Sequence, residues 1–115
     1  DKVLKPEAII ASNTSSISIT ELASSTKRSD KVIGMHFMNP VPVMKLVEVI
    51  RGLQTSDHTL GVTQEYKFLL NNLVWLLKWE NKHQLQEYSG FIANRLLMPY
   101  INEAIYALYE GIGTK

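Results

Sequence analysis

Two β-branched segments, Lys31–His36 (KVIGMH) and Lys45–Arg51 (KLVEVIR), constrain this chain most. Each has the length and composition of a strand. The link between them carries Asn39, Pro40 and Pro42, which ends the first strand because proline cannot donate to a sheet ladder. In the second, the two-residue period puts Leu46, Glu48 and Ile50 on one face, and Gly52 closes it. A carboxylate on an apolar strand is costly unless paired, so Glu48 needs a partner. His36, Lys45 and Arg51 are all available.

Upstream, the apolar run Ala8–Ala11 lies between Pro6 and the polar cluster SNTSS (12–16), and reads as a buried strand entering a loop. Ser18-Ile19-Thr20-Glu21 fits a capping box and predicts a short helix from Ile19 to about Ser25. Strand, helix and strand with short links argue for a βαβ unit and a parallel sheet. Ser56 is a suitable cap for a helix starting near Asp57, whose apolar positions Phe68, Leu69, Leu73, Leu76 and Leu77 follow a helical period. A last helix is predicted from about Phe91. Leu97, Ile101, Ala104, Ile105 and Leu108 form its apolar face, Pro99 kinks it or lies near its first turn, and Gly111 stops it.

With 115 residues the chain can hold one small domain. A net charge of +1 without a clustered basic face gives no electrostatic basis for binding nucleic acid or an anionic membrane. The most apolar stretch, Leu69–Leu77, is interrupted by Asn71 and Asn72 and is too short to span a bilayer. The absence of cysteine excludes disulfides and thiolate metal sites, and no metal site is expected. It also suits the cytoplasm, or an organelle matrix in a eukaryote. The chain begins at Asp1 and ends just after a helical pattern, so it reads as an internal fragment.

Three segments carry a family resemblance: ASNTSSISITELA (11–23), VIGMHFMNPVPVMKLVEVIRG (32–52) and GFIANRLLMPYINEAIYALYEG (90–111). Together they resemble the L-3-hydroxyacyl-CoA dehydrogenases. The middle segment is the most specific, because His, Asn-Pro, Lys and Glu fall at fixed offsets. Its wording is closer to the stand-alone, butyryl-chain type than to the multifunctional β-oxidation enzymes.

The resemblance implies an α/β fold. Residues 1–88 would form the later part of a Rossmann-like NAD-binding domain, and 89–115 the first helix of an all-α C-terminal domain. The glycine-rich phosphate loop would lie upstream of Asp1, so the isolated chain is not expected to turn over. The implied reaction is hydride transfer between NAD and the 3-hydroxyl of a (3S)-3-hydroxyacyl-CoA. Histidine suits the base because it titrates near neutrality. By resemblance, His36 is that base and Glu48 its carboxylate partner. Ser15 binds the substrate oxygen and touches the cofactor, Asn94 holds the thioester side of the substrate, and Asn39 contacts cofactor or substrate near the nicotinamide. The family also implies a homodimer.

The readings without the resemblance are plainer. Ser15 is then a loop or cap residue, Asn94 a solvated helix residue, His58 and His83 surface residues, and Trp75 and Trp79 packing residues. Two alternatives to the enzyme fragment stand beside it: a catalytically incompetent remnant that associates through its last helix, and a piece of a multifunctional β-oxidation enzyme. The stretch from about Tyr66 to Ser89 departs from the family pattern. Where the family has a strand, it reads as a longer helix and an irregular linker.

Overall fold

A computed structural model describes residues 2–44, 46–69, 75–78 and 91–113. The elements run β1 (Ile10–Ser12), α1 (Ile19–Ser24), a short 3-10 turn (Ser29–Lys31), β2 (Val32–Phe37), β3 (Leu46–Arg51), α2 (Asp57–Leu69), β4 (Trp75–Lys78) and α3 (Ala93–Tyr109). The strands form one sheet in the order β1-β2-β3-β4.

β1 and β2 are parallel and joined through α1, which is the βαβ unit expected from the sequence. The sheet is nevertheless mixed, since β2 and β3 are antiparallel. This corrects the expectation of a parallel sheet. A parallel pair needs a crossover connection of a dozen or more residues. The link 38–45 is too short for that, and residues 40–44 fold as a tight turn in which the N–H groups of Val43 and Met44 both donate to the Pro40 carbonyl. The Asn39–Pro40 peptide in that turn is cis.

The helices cover the two faces of the sheet. Ile19 and Ala23 of α1 pack with Val32 and Ile50 on one face. Leu60 of α2 packs with Ile33 and Val49 on the other. Gly34 belongs to the α1 face, where an added Cβ would stand 3.0 Å from the Ile50 Cβ and 3.1 Å from the Ile19 side chain. The absent side chain is what lets Ile19 seat against the sheet.

Local caps explain the helix boundaries. The Ser18 hydroxyl accepts the Glu21 N–H (3.1 Å) and starts α1. The Ser56 hydroxyl accepts the Thr59 N–H (3.1 Å) and starts α2. At the end of α3, Gly111 has φ +73°. Its N–H donates to the Leu108 carbonyl (3.2 Å), and the Ile112 N–H donates to the Ala107 carbonyl (2.9 Å). This pair of bonds is the Schellman motif, which favours glycine. A buried hydroxyl fixes the link between β3 and α2 to β2. Thr55 Oγ1 donates to the Val32 carbonyl (2.6 Å) and accepts the Gly52 N–H (2.8 Å).

Two expectations shift. The first strand begins at Ile10, because the Ala8 N–H is taken by the Lys5 carbonyl in a preceding turn. The stretch read as an extended helix also contains a strand, since α2 ends at Leu69 and β4 pairs in parallel with β3, Leu77 opposite Glu48. Short apolar runs fit both periods, and pairing with the otherwise open edge of β3 decides this one. The linker expected after it, with Trp79, His83 and Ser89, lies outside the described residues. Pro99 sits inside α3, well past its first turn.

Candidate active site

β2 and β3 run antiparallel with His36 directly opposite Glu48. Both side chains point to the α1 face, by the two-residue period from Val32 and Ile50. Both are buried, at 5% and 2% exposure, so each must satisfy its polar atoms within the protein. Glu48 Oε2 lies 2.7 Å from His36 Nδ1. A carboxylate only accepts, so Nδ1 carries a proton, and in the neutral imidazole Nε2 then presents its lone pair. Ser15 Oγ lies 2.9 Å from Nε2 and donates to it in that form. Of the three partners open to Glu48 from sequence, the structure therefore selects His36. Arg51 pairs with Asp57 in the first turn of α2 (2.8 Å). Lys45 lies outside the described residues.

The second carboxylate oxygen has its own task. Glu48 Oε1 accepts the backbone N–H groups of Ile92 (3.2 Å) and Ala93 (2.8 Å). Among the described residues, no side chain of its own segment caps α3. Its first N–H groups, which no helical carbonyl can satisfy, are instead met by an anion from across the sheet. These two bonds hold the N-terminus of α3, the turn that carries Asn94, against Glu48. Asn94 is half-buried in that turn.

The loop after β1 is fixed by a residue that sequence reasoning passed over. Asn13 Oδ1 accepts the Phe37 N–H (2.8 Å), extending the β1–β2 association past its last paired residues. The polar cluster was visible in the sequence, but nothing there separated Asn13 from its neighbours. Phe91 was also missed. Its ring lies edge-on to the His36 imidazole, with centroids 5.6 Å apart and planes at 66°. Ser15, His36 and Glu48 are thus brought together, with Asn94 close by in sequence to the Glu48 contact. Asn39 is not part of this set. It is exposed in the turn after β2 and, among the described residues, makes no hydrogen bond to Ser15, His36 or Glu48. His58 is exposed on α2. Among the described residues, no helix is long and apolar enough to cross a membrane.

The family model for the 3-hydroxyacyl-CoA dehydrogenase NAD binding domain matches residues 1–72, and that for the 3-hydroxyacyl-CoA dehydrogenase C-terminal domain matches 90–115. The chain belongs to the 3-hydroxyacyl-CoA dehydrogenase family. A 3-hydroxybutyryl-CoA dehydrogenase of Bradyrhizobium diazoefficiens is 53% identical over 111 residues, covering 96% of this chain and 35% of that protein. A probable 3-hydroxybutyryl-CoA dehydrogenase of Bacillus subtilis is 51% identical over 113 residues, covering 97% of this chain and 36% of that protein. Among solved structures, the (S)-3-hydroxybutyryl-CoA dehydrogenase of Ralstonia eutropha aligns with a TM-score of 0.78 and 49% identity, covering 98% of this chain and 37% of that one. The chain therefore spans about a third of the length of the relatives it matches. Within this family the Rossmann-type reading of the sheet holds, and the mixed sheet of β1 to β4 is its local form.

Proposed function

We propose that the protein carrying this chain oxidises (3S)-3-hydroxyacyl-CoA to 3-oxoacyl-CoA with NAD, and that His36 is the base. The observation that carries this reading is the continuous Ser15–His36–Glu48 hydrogen-bond chain. Nε2 stands at the carboxyl ends of parallel β1 and β2, where open α/β sheets take their ligands. NAD held there would supply the acceptor for the hydride that leaves C3 of the substrate. His36 Nε2 takes the hydroxyl proton as the C3–O bond becomes a carbonyl, and Glu48 stabilises the resulting imidazolium. Ser15 Oγ turns from Nε2 to the substrate oxygen and keeps it within reach of the base. Asn94, at the start of α3, holds the thioester side of the substrate, while Asn39 meets cofactor or substrate from the turn after β2.

Residues 1–88 belong to the nucleotide-binding part and 89–115 open the helical part. The exposed apolar residues of α3, among them Leu96, Leu97, Ile101 and Ile105, support a role in packing against that helical part and in a homodimer. A cytoplasmic or organelle-matrix setting goes with this metabolism.

The test is a graft. This chain replaces the corresponding segment of the Ralstonia eutropha enzyme, and NADH-dependent reduction of acetoacetyl-CoA is followed. Turnover that falls about 10²–10⁴-fold in His36→Gln is the expected result. A folded graft whose turnover ignores that substitution sinks the reading.

A further inference from the structure

Phe91 is a non-glycine residue with φ +49°, in the left-handed region that L side chains rarely adopt. Backbone held in such a conformation persists only where its surroundings over-determine it. Here they do so from both sides. The ring packs against the buried cluster of Ile19, Ala23, Val32 and Ile50. It also meets the imidazole edge-on, an arrangement favoured between aromatic rings. The two residues that follow give Glu48 their N–H groups. A left-handed residue at this point sets the direction in which the chain enters the first turn of α3, and that direction aims Ile92 N–H and Ala93 N–H at a carboxylate on β3. The same residue that turns the backbone toward Glu48 therefore lays its ring on Glu48's partner.

We infer that Phe91 is a positioning residue for the His36–Glu48 pair, setting the imidazole orientation with its ring and the carboxylate orientation with its backbone. It touches neither substrate nor cofactor in this reading. Its action is indirect. Asn94 follows three residues later, so the turn at Phe91 also fixes how far the substrate-holding residue stands from the base. The inference rests on His36 being the base, but its structural content stands apart from catalysis.

The experiment uses the chain itself, with ¹⁵N-labelled histidine and backbone. In the wild-type protein, cross-relaxation between the Phe91 ring protons and the His36 ring is expected, together with a slowly exchanging His36 Nδ1 proton and protected Ile92 and Ala93 amides. Phe91→Leu keeps an apolar side chain but no flat ring, and Phe91→Gly relieves the backbone but removes the side chain. In both, the Nδ1 proton exchanges on the order of tenfold faster or more, the scale of one hydrogen bond, while the two amides do so in Phe91→Leu and stay protected in Phe91→Gly, because glycine takes the left-handed turn freely. Phe91→Tyr restores the wild-type pattern. Leucine or glycine variants that keep all three protections overturn the inference, as does a wild-type chain in which the two rings show no contact. In the graft, the same variants lower kcat with little change in KM for NADH. A graft in which His36→Gln is silent while these protections change would instead refute the proposed base and leave the positioning intact.

Discussion

Glu48 and His36 are cross-strand partners, and the carboxylate that caps the imidazole at 2.7 Å also caps a helix. One oxygen serves Nδ1 and the other serves the first N–H groups of α3. The imidazole, the sheet and the start of α3 are thus joined through one buried side chain.

Glu48→Gln tests the tautomer. The amide oxygen can still accept from Ile92 and Ala93, but its NH₂ now donates to Nδ1. That forces the proton onto Nε2, which can no longer accept from Ser15 or from a substrate hydroxyl. Turnover of the graft is expected to fall by roughly 10⁴-fold, the scale seen when a base is held in its wrong tautomer. Thermal melting should change far less than in Glu48→Ala, which orphans three donors and costs about 3–5 kcal/mol of folding stability. Equal loss of stability in the two variants would contradict this account.

Ser15→Ala removes the hydroxyl that meets Nε2 from an exposed loop position. Steady-state kinetics of the graft should show kcat/KM lowered by about tenfold, the scale of a single net hydrogen bond. Urea denaturation of the chain should shift by no more than about 0.5 kcal/mol, as for other surface changes.

Gly34→Ala introduces a methyl 3.0 Å from the Ile50 Cβ and 3.1 Å from the Ile19 side chain. Overpacking of this kind costs about 1–3 kcal/mol. Adding Ile19→Val removes one of the crowding atoms and should recover part of the loss. Additive losses in the double variant, read from denaturant midpoints, would place the clash elsewhere.

Thr55→Val keeps the shape and deletes the hydroxyl that bridges Val32 and Gly52. Two buried backbone groups lose their partner, at about 1–3 kcal/mol each. Amide exchange should report the loss at Gly52 and at the start of α2, with β1 and the Ser15 loop unaffected.

Much of this was legible in the sequence because it is local. Ser18, Ser56 and Gly111 mark helix ends through bonds to residues a few positions away, and the structure shows all three bonds. The two-residue period correctly put Glu48 on the same face as Ile50. What escaped was decided by distant partners. The antiparallel course of β3 followed from the turn at 40–44, where the sequence gives strand type but not direction. β4 followed from the open edge of β3. Among the described residues the cap of α3 lies on β3, and a sequence window around Phe91 contains no sign of Glu48. Asn13 and Phe91 gain their roles only when β2 is laid beside them.

The pairing of His36 with Glu48 also sets where this chain can change length. Residues can be gained or lost in the turn between β2 and β3 and the two side chains still face each other, because the ladder begins anew where Phe37 meets Val47. A single insertion between Leu46 and Ile50 has no such freedom. It rotates part of the strand to the opposite face, and the carboxylate would then lie under α2 while the histidine stays under α1. Deletions and insertions in this region are thus sorted by position: tolerated by the pair in the turn, and excluded from the strands.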